Sequence, residues 1–327
     1  MTRARPAVPL VVAAFAAVYV IWGSTYLGIR VAIETIPPLA MAGVRFLVAG
    51  AILFPAAYLS GDRRGDPITP VHWRSALVIG GLLLFCGNGG VTFAEQHVPS
   101  GVTALLVGTV PLWMAVFAHL RGAQRLSRLA SLGLVAGFAG VALLLRTGGG
   151  GTASPGFYAV ALLSPVCWAA GSIYARGARV PRRPLVGVAM EMLCAGVLLC
   201  AFAGILGEWG QIHPGRISAV SLFWFAYLVV FGSLVAYTAY VYLLGKVSPR
   251  AVSSYAYVNP LVAVLLGWAF LGETVTAGTL VAAGLIVVAV AVMLAGGRRP
   301  ARSVAGDAAV TEGDAPPHAA AAEAETA

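Results

Sequence analysis

Apolar residues along this chain come in long unbroken blocks, not in the alternating or one-faced patterns of water-soluble elements. Ten blocks are long enough to be read as spans. They run Leu10–Ile29, Leu39–Leu59, Ser75–Ala94, Val98–Leu120, Leu129–Leu145, Phe157–Ala175, Leu185–Leu206, Ile217–Leu244, Ala251–Leu271 and Val275–Ala295. A helix needs about 20 apolar residues to cross the hydrocarbon core of a bilayer. Eight of the ten blocks hold no Lys, Arg, Asp or Glu. Short connections carry the punctuation, such as Pro37-Pro38, the Gly148–Gly151 run and Pro181. Strict apolar–polar alternation is absent, which argues against a β-barrel. The first block is too long for a typical signal-peptide core and lacks a clear A-x-A cleavage site, so it is read as a retained helix. The pattern therefore predicts an all-α integral membrane protein with ten transmembrane helices.

The basic residues orient these spans, because Lys and Arg stay on the cytoplasmic side. With the N-terminus inside, the inner segments hold Arg3, Arg5, Arg63, Arg64, Arg74, Arg121, Arg125, Arg128, Arg176, Arg179, Arg182, Arg183, Lys246, Arg250, Arg298, Arg299 and Arg302. The outer segments hold only Arg146 and Arg216. This split alternates at every loop, and a missed helix would invert it downstream. Both termini are then cytoplasmic: residues 1–9 form a short N-terminal segment, and the Ala-, Glu- and Pro-rich stretch 297–327 reads as a disordered tail.

Composition supports the lipid reading. The chain of 327 residues is 59% hydrophobic and 10% charged, against about 25% charged in soluble domains. Its net charge of +9 does not imply nucleic acid, because the basic residues are scattered between apolar blocks and form no basic domain. Cys86, Cys167, Cys194 and Cys200 lie inside apolar blocks without metal-ligand spacing and read as buried free thiols. No cofactor or metal motif is present.

The halves resemble each other. At an offset of 146, Trp22 matches Trp168, and Arg45-Phe-Leu-Val-Ala-Gly50 matches Glu191-Met-Leu-Cys-Ala-Gly196. At an offset of 149, Val98 matches Val247, Pro111-Leu112 matches Pro260-Leu261, and Gln124 matches Glu273. Five spans per copy is an odd number, so the second copy enters the membrane upside down. Inverted repeats are common in secondary transporters, whose sites lie near the midplane where the halves meet.

Ile21-Trp-Gly-Ser-Thr-Tyr26 followed by Arg45-Phe46 resembles the start of the EamA-type drug/metabolite transporter superfamily. Ala94-Glu-Gln96, Val98-Pro-Ser-Gly101 and Thr109-Val-Pro-Leu-Trp113 resemble the end of its first repeat, and Val258-Asn-Pro-Leu261 and Leu271-Gly-Glu-Thr274 the end of its second. Ala123-Gln124 departs from the Gly-Glu often found there. The resemblance covers roughly residues 10–296. It implies a first repeat at 10–146, a second at 155–296, and a carrier of the exporting kind that handles amino acids, other metabolites or drugs.

Candidate site residues follow from polarity at depth. Arg45 lies about six residues into its span, roughly 9 Å from its edge at 1.5 Å per residue. A charge at a helix centre costs ~2.5–3.5 kcal/mol on insertion scales. Arg45 therefore faces the bundle interior or snorkels; inside, it would anchor a carboxylate. Glu191, its counterpart, is a candidate for proton coupling or for interfacial exposure, and lies too far across the midplane to pair with Arg45. Trp22, Ser24, Thr25 and Tyr26 place small residues beside aromatic rings, as do Trp168, Ser172 and Tyr174; either packing or a stacked ligand fits. Pro111 and Pro260 are candidate hinges that line the path, because each frees a carbonyl inside a span. Asn259 adds an amide beside Pro260, and Asn88 places another mid-span, as interhelical glue or path lining. Tyr237 with Tyr240, and Tyr255 with Asn259, share helix faces. Glu95 and His97 fall at the outer end of the third span and Glu273 at that of the ninth, where solvation is favoured over a gating role.

These residues exclude several classes of function. No G-x-x-x-x-G-K-[ST] loop occurs, so energy would come from a proton or substrate gradient. No H-E-x-x-H, Asp pair or nucleophile–base pair lies in the spans, so the chain is not read as an enzyme. An importer or exchanger of the same fold is the alternative to an exporter, and a channel fits the inverted repeat less well than alternating access does. The expected partners are a small-molecule substrate, the lipid bilayer and protons as coupling ion. Gly133-x-x-x-Gly137 can pack within the chain or in a homodimer.

Overall fold

The computed structural model describes residues 8–60, 67–122, 127–147 and 153–296. Among them are ten apolar helices and no strand. Eight are long and apolar enough to cross a membrane by length and composition: α1 (Val8–Ala32), α2 (Pro38–Leu59), α3 (Pro70–Ala94), α4 (Ser100–Leu120), α5 (Arg128–Arg146), α6 (Pro155–Ala175), α7 (Pro184–Ile205) and α8 (Ala219–Lys246). Two shorter apolar stretches follow, α9 (Tyr255–Leu271) and α10 (Ala277–Gly296), the latter counted as apolar to Met293. Arg3, Arg5, Arg63, Arg64, Arg125, Arg298, Arg299, Arg302, Ala123-Gln124, the Gly148–Gly151 run and the tail lie outside the described residues.

The helix starts have local causes. Thr69 caps α3 in a capping box with His72, extending it back to Pro70. Ser127 accepts from the Ala130 N–H at 3.2 Å to start α5, and Ser218 accepts from the Ser221 N–H at 3.0 Å to start α8. Proline sits in the first turn of α2, α3, α6 and α7, where no intrahelical N–H is needed.

Two spans differ from the expected continuous helices. Within α4, Gly108 and Thr109 interrupt the helix between Ser100–Val107 and Val110–Leu120. The ninth span begins at Tyr255, with Pro249–Val252 a separate turn before it. Both breaks sit next to residues that disfavour a continuous helix there, Pro111 in α4 and Ser253-Ser254 before α9.

Glycines set the packing by letting backbones approach. Along α2, Gly43 meets Leu199 and Cys200, Leu47 meets Gly196, and Gly50 meets Leu193 of α7. As one chain rises the other descends, so α2 and α7 are antiparallel. The same test makes α5 and α10 antiparallel: Gly133 meets Val292 and Met293, Gly137 meets Ala289, and Gly140 meets Leu285 and Ile286. It also holds for α4 and α9, where Gly101 meets Val264 and Gly108 meets Pro260. The Gly133-x-x-x-Gly137 stripe is thus occupied within the chain. Outward-facing Leu132, Val135, Leu163, Phe223, Phe270 and Leu280 are all more than half exposed, the reverse of a water-soluble surface and suited to lipid.

Carboxylates stitch the halves together at helix N-termini, where the dipole favours an anion. Glu208 accepts from the Ala40 N–H of α2 at 2.8 Å. Burial pushes the Glu208 carboxyl up, and hydrogen bonds from Ala40 and Leu39 pull it back. Glu273 accepts from the Ser100 N–H at 2.6 Å and the Gly101 N–H at 3.0 Å of α4.

Candidate functional site

A central cavity with an empty volume of about 810 Å³ is lined by α1, α2, α3 and α4 of the first half and by α6, α8 and α9 of the second. Trp22, Thr25, Tyr26, Arg45, Asn88, Trp168, Tyr237, Tyr255, Asn259 and Pro260 line it. The wall is mainly apolar, with a few polar groups set at separate points.

Arg45 is the one charged side chain of the wall. It is 2% exposed. Its Nε donates to Ser233 Oγ at 2.9 Å, and its guanidinium carbon lies 4.9 Å from the centroid of the Phe46 ring. Nη1 is buried without a hydrogen-bond partner, and so are the side-chain oxygens of Asn88 and Asn259. A buried polar group without a partner costs about 1–3 kcal/mol, more when charged. The cavity therefore holds one cationic donor and two amide acceptors ready for a solute.

Backbone irregularities gather at the same place. Pro260 has no N–H for the Ala256 carbonyl, and Pro111 has none for that of Val107; Ala256 and Val107 both line the cavity. A Cβ on Gly108 would stand 2.9 Å from Pro260 Cγ and 3.2 Å from the Ala256 oxygen, so the break in α4 lies against the proline of α9. Pro111 itself sits in the first turn after that break and does not line the cavity. Two π-helical stretches, Gly81–Asn88 in α3 and Leu228–Val235 in α8, bring Asn88, Gly232 and Ser233 to the site. Such widened turns recur at functional sites. A third, Ala17–Ile21, leads into Trp22.

Trp22 is the best-braced ring of the wall. Its Nε1 donates to the Gly232 oxygen at 3.2 Å. Tyr237, Tyr240 and Tyr255 surround it at centroid distances of 5.1, 5.3 and 5.4 Å. Tyr240 thus stands behind the wall and not in it. Trp168 packs over Gly87, whose added Cβ would stand 2.9 Å from Trp168 Cε3.

Several sequence candidates lie elsewhere. Ser24 Oγ donates to the Ile21 oxygen and shares a hydrogen bond with the Tyr227 hydroxyl at 2.7 Å. Ser172 is half-buried outside the cavity wall. Glu191 also lies outside the wall, against α3, where a Cβ on Gly80 would collide with its backbone oxygen. Glu95, expected in water, is 0% exposed: the connection after α3 folds inward, and Arg30 donates to the Glu95 and Gln96 oxygens. Sequence reasoning passed over Ser164, Gly87 and Gly108 of the wall; the small or polar residue inside an apolar span was the available signal.

The EamA-like transporter family matches the chain twice, over residues 9–146 and 157–295. The chain belongs to the EamA-like transporter family. It is a multi-pass membrane protein. Among its relatives is YedA, an uncharacterized inner membrane transporter of Escherichia coli (strain K12), 43% identical over 90% of this chain and 93% of that one. A second is YvbV, an uncharacterized transporter of Bacillus subtilis (strain 168), 29% identical over 88% and 91%. A third, of Salmonella typhimurium (strain LT2), is described as a probable amino-acid metabolite efflux pump and is 25% identical over 83% and 90%. One solved crystal structure, at 22% identity, superposes with a TM-score of 0.60 over 89% of this chain and 99% of that chain. It shares the fold of this EamA-like chain.

Proposed function

We propose that this EamA-like protein is a secondary-active carrier of the inner membrane that exports small carboxylate-bearing metabolites, amino acids among them, by alternating access. In this reading it has ten spans in two inverted five-helix repeats, with both termini in the cytoplasm. The observation that carries the solute class is Arg45, buried in a shared cavity with Nη1 unpartnered. The three antiparallel pairs, α2 with α7, α4 with α9 and α5 with α10, support the inverted repeat. Each joins corresponding helices of the two halves. Such an arrangement offers two near-equivalent packings, one open to each side. The relative described as a probable amino-acid metabolite efflux pump supports the solute class and the direction.

The test is flux in proteoliposomes. Radiolabelled L-phenylalanine, L-leucine and L-threonine are compared with phenethylamine, which lacks the carboxylate. Saturable exchange of at least one amino acid and none of phenethylamine is expected. Equal handling of phenylalanine and phenethylamine would overturn the carboxylate reading. For topology, a cysteine inserted after Gly151 is expected to react with an impermeant maleimide from the outer side of intact cells; reaction only after lysis would overturn the inversion.

A further inference from the structure

The mechanism so far makes no use of two carboxylates, one buried and one half-buried, at the end of the bundle where α3 meets α4. Glu95 follows the last turn of α3 and is 0% exposed, with both carboxylate oxygens lacking a hydrogen-bond partner. It stands at a helix C-terminus, where the dipole opposes an anion. Arg30 offers no neutralisation by hydrogen bond, since its Nη1 goes to the backbone oxygens of Glu95 and Gln96. Glu273 is close enough to repel it. Gly272, at φ 64°, ends α9 in a left-handed turn and throws Glu273 back onto the Ser100 and Gly101 N–H groups. Glu273 thus has two backbone donors, and the buried Glu95 carboxyl has none, a site built for a neutral acid.

The other ionisable neighbours are few. Tyr26 of α1 lines the cavity and is within electrostatic reach of Glu95. The helix α6 carries no charged residue, and the single charge on α2 is Arg45, bonded to Ser233 of α8. His97 is turned onto the Phe157 ring, 4.2 Å between centroids. Burial and the Glu273 charge push the Glu95 carboxyl well above the usual carboxylate range, with Arg30 pulling it back. The repeat offers no matching acids: at an offset of 149, Glu95 corresponds to Leu244 and Glu273 to Gln124. The acid pair exists at one end of the bundle alone.

We propose that Glu95 carries the coupling proton, held as a neutral acid while α1, α4 and Glu273 close over it and released to water when those contacts part. The role in transport rests on the carrier reading above; the protonation itself does not. Opening hydrates Glu95 and separates it from Glu273, so a proton taken up by its carboxylate on closing leaves on opening.

Two measurements need no substrate. In the reconstituted full chain, infrared titration is expected to show a protonated-carboxyl component that persists through neutral pH, is lost in Glu95→Gln and remains in Glu191→Gln. A band unchanged in Glu95→Gln overturns the proposal. Second, Ser100→Cys in a chain with its native cysteines replaced is labelled with an impermeant maleimide across pH. Labelling is expected to rise with pH more steeply than in Glu95→Gln, which keeps only the thiol's own pH dependence; equal profiles overturn the gating step. With L-phenylalanine as probe, an imposed pH gradient is expected to drive accumulation in wild type, while Glu95→Gln exchanges without accumulating. Exchange by wild type that is indifferent to the gradient overturns the coupling and leaves the carrier reading intact.

Discussion

Leu193 of α7 lies so close over Gly50 of α2 that a Cβ on the glycine would stand 2.9 Å from Leu193 Cγ. The contact recurs with the halves exchanged, Leu47 over Gly196 at 2.7 Å. Each residue of one contact has its counterpart in the other 146 positions away. Two copies related by a local two-fold axis must meet in this reciprocal way.

Substitution at these glycines should separate them in severity. Gly196→Ala meets the backbone N of Leu47 at 2.8 Å, whereas Gly50→Ala meets chiefly the movable end of Leu193. Overpacking a tight contact costs about 1–3 kcal/mol. Thermal unfolding in detergent should place Gly196→Ala below Gly50→Ala and both below wild type.

The two prolines should behave differently. Pro260→Ala returns a donor to the Ala256 carbonyl, so a higher melting temperature and slower exchange are expected. Pro111 sits in the first turn of its half-helix, where proline is tolerated, so Pro111→Ala should leave both nearly unchanged. Paired thermal and initial-rate measurements check this.

Removing the Arg45 guanidinium should weaken carboxylate solutes selectively. A hydrogen bond to a charged group contributes about 1.5–3 kcal/mol, so Arg45→Met should raise the apparent Kd for L-phenylalanine by roughly 10- to 100-fold. Ser233→Ala removes only the partner of Nε and should cost less. Equal losses in the two variants would count against the anchor.

Stability should depend on pH through Glu95. Its carboxyl is raised in the fold by burial and by Glu273, so the unfolded chain ionises first. The stabilisation is present in full below the unfolded carboxylate pKa and is lost as pH rises toward the folded one. The melting temperature of wild type should therefore fall relative to Glu95→Gln between pH 4 and 8. A wild-type melting temperature that rises relative to Glu95→Gln over that window would contradict the sign.

The spans were legible because lipid imposes a one-dimensional rule: apolar length sets where helices lie. The ends at Pro38, Pro155 and Pro184 fall within two residues of the blocks read from hydropathy. Trp22, Arg45 and Asn259 stood out because polar or aromatic groups at depth are costly. Tertiary structure alone decided which of these groups face one cavity. Tyr240 and Ser24 share helices with wall residues yet turn away from it, because Trp22 and Tyr227 take their contacts. Glu95 looked solvated from its place at a span end, yet it is fully buried, with its backbone oxygen held by Arg30, far away in sequence. Sequence fixes the depth of a residue along its own helix; the neighbour that removes water from it comes from another helix, and only packing chooses that neighbour.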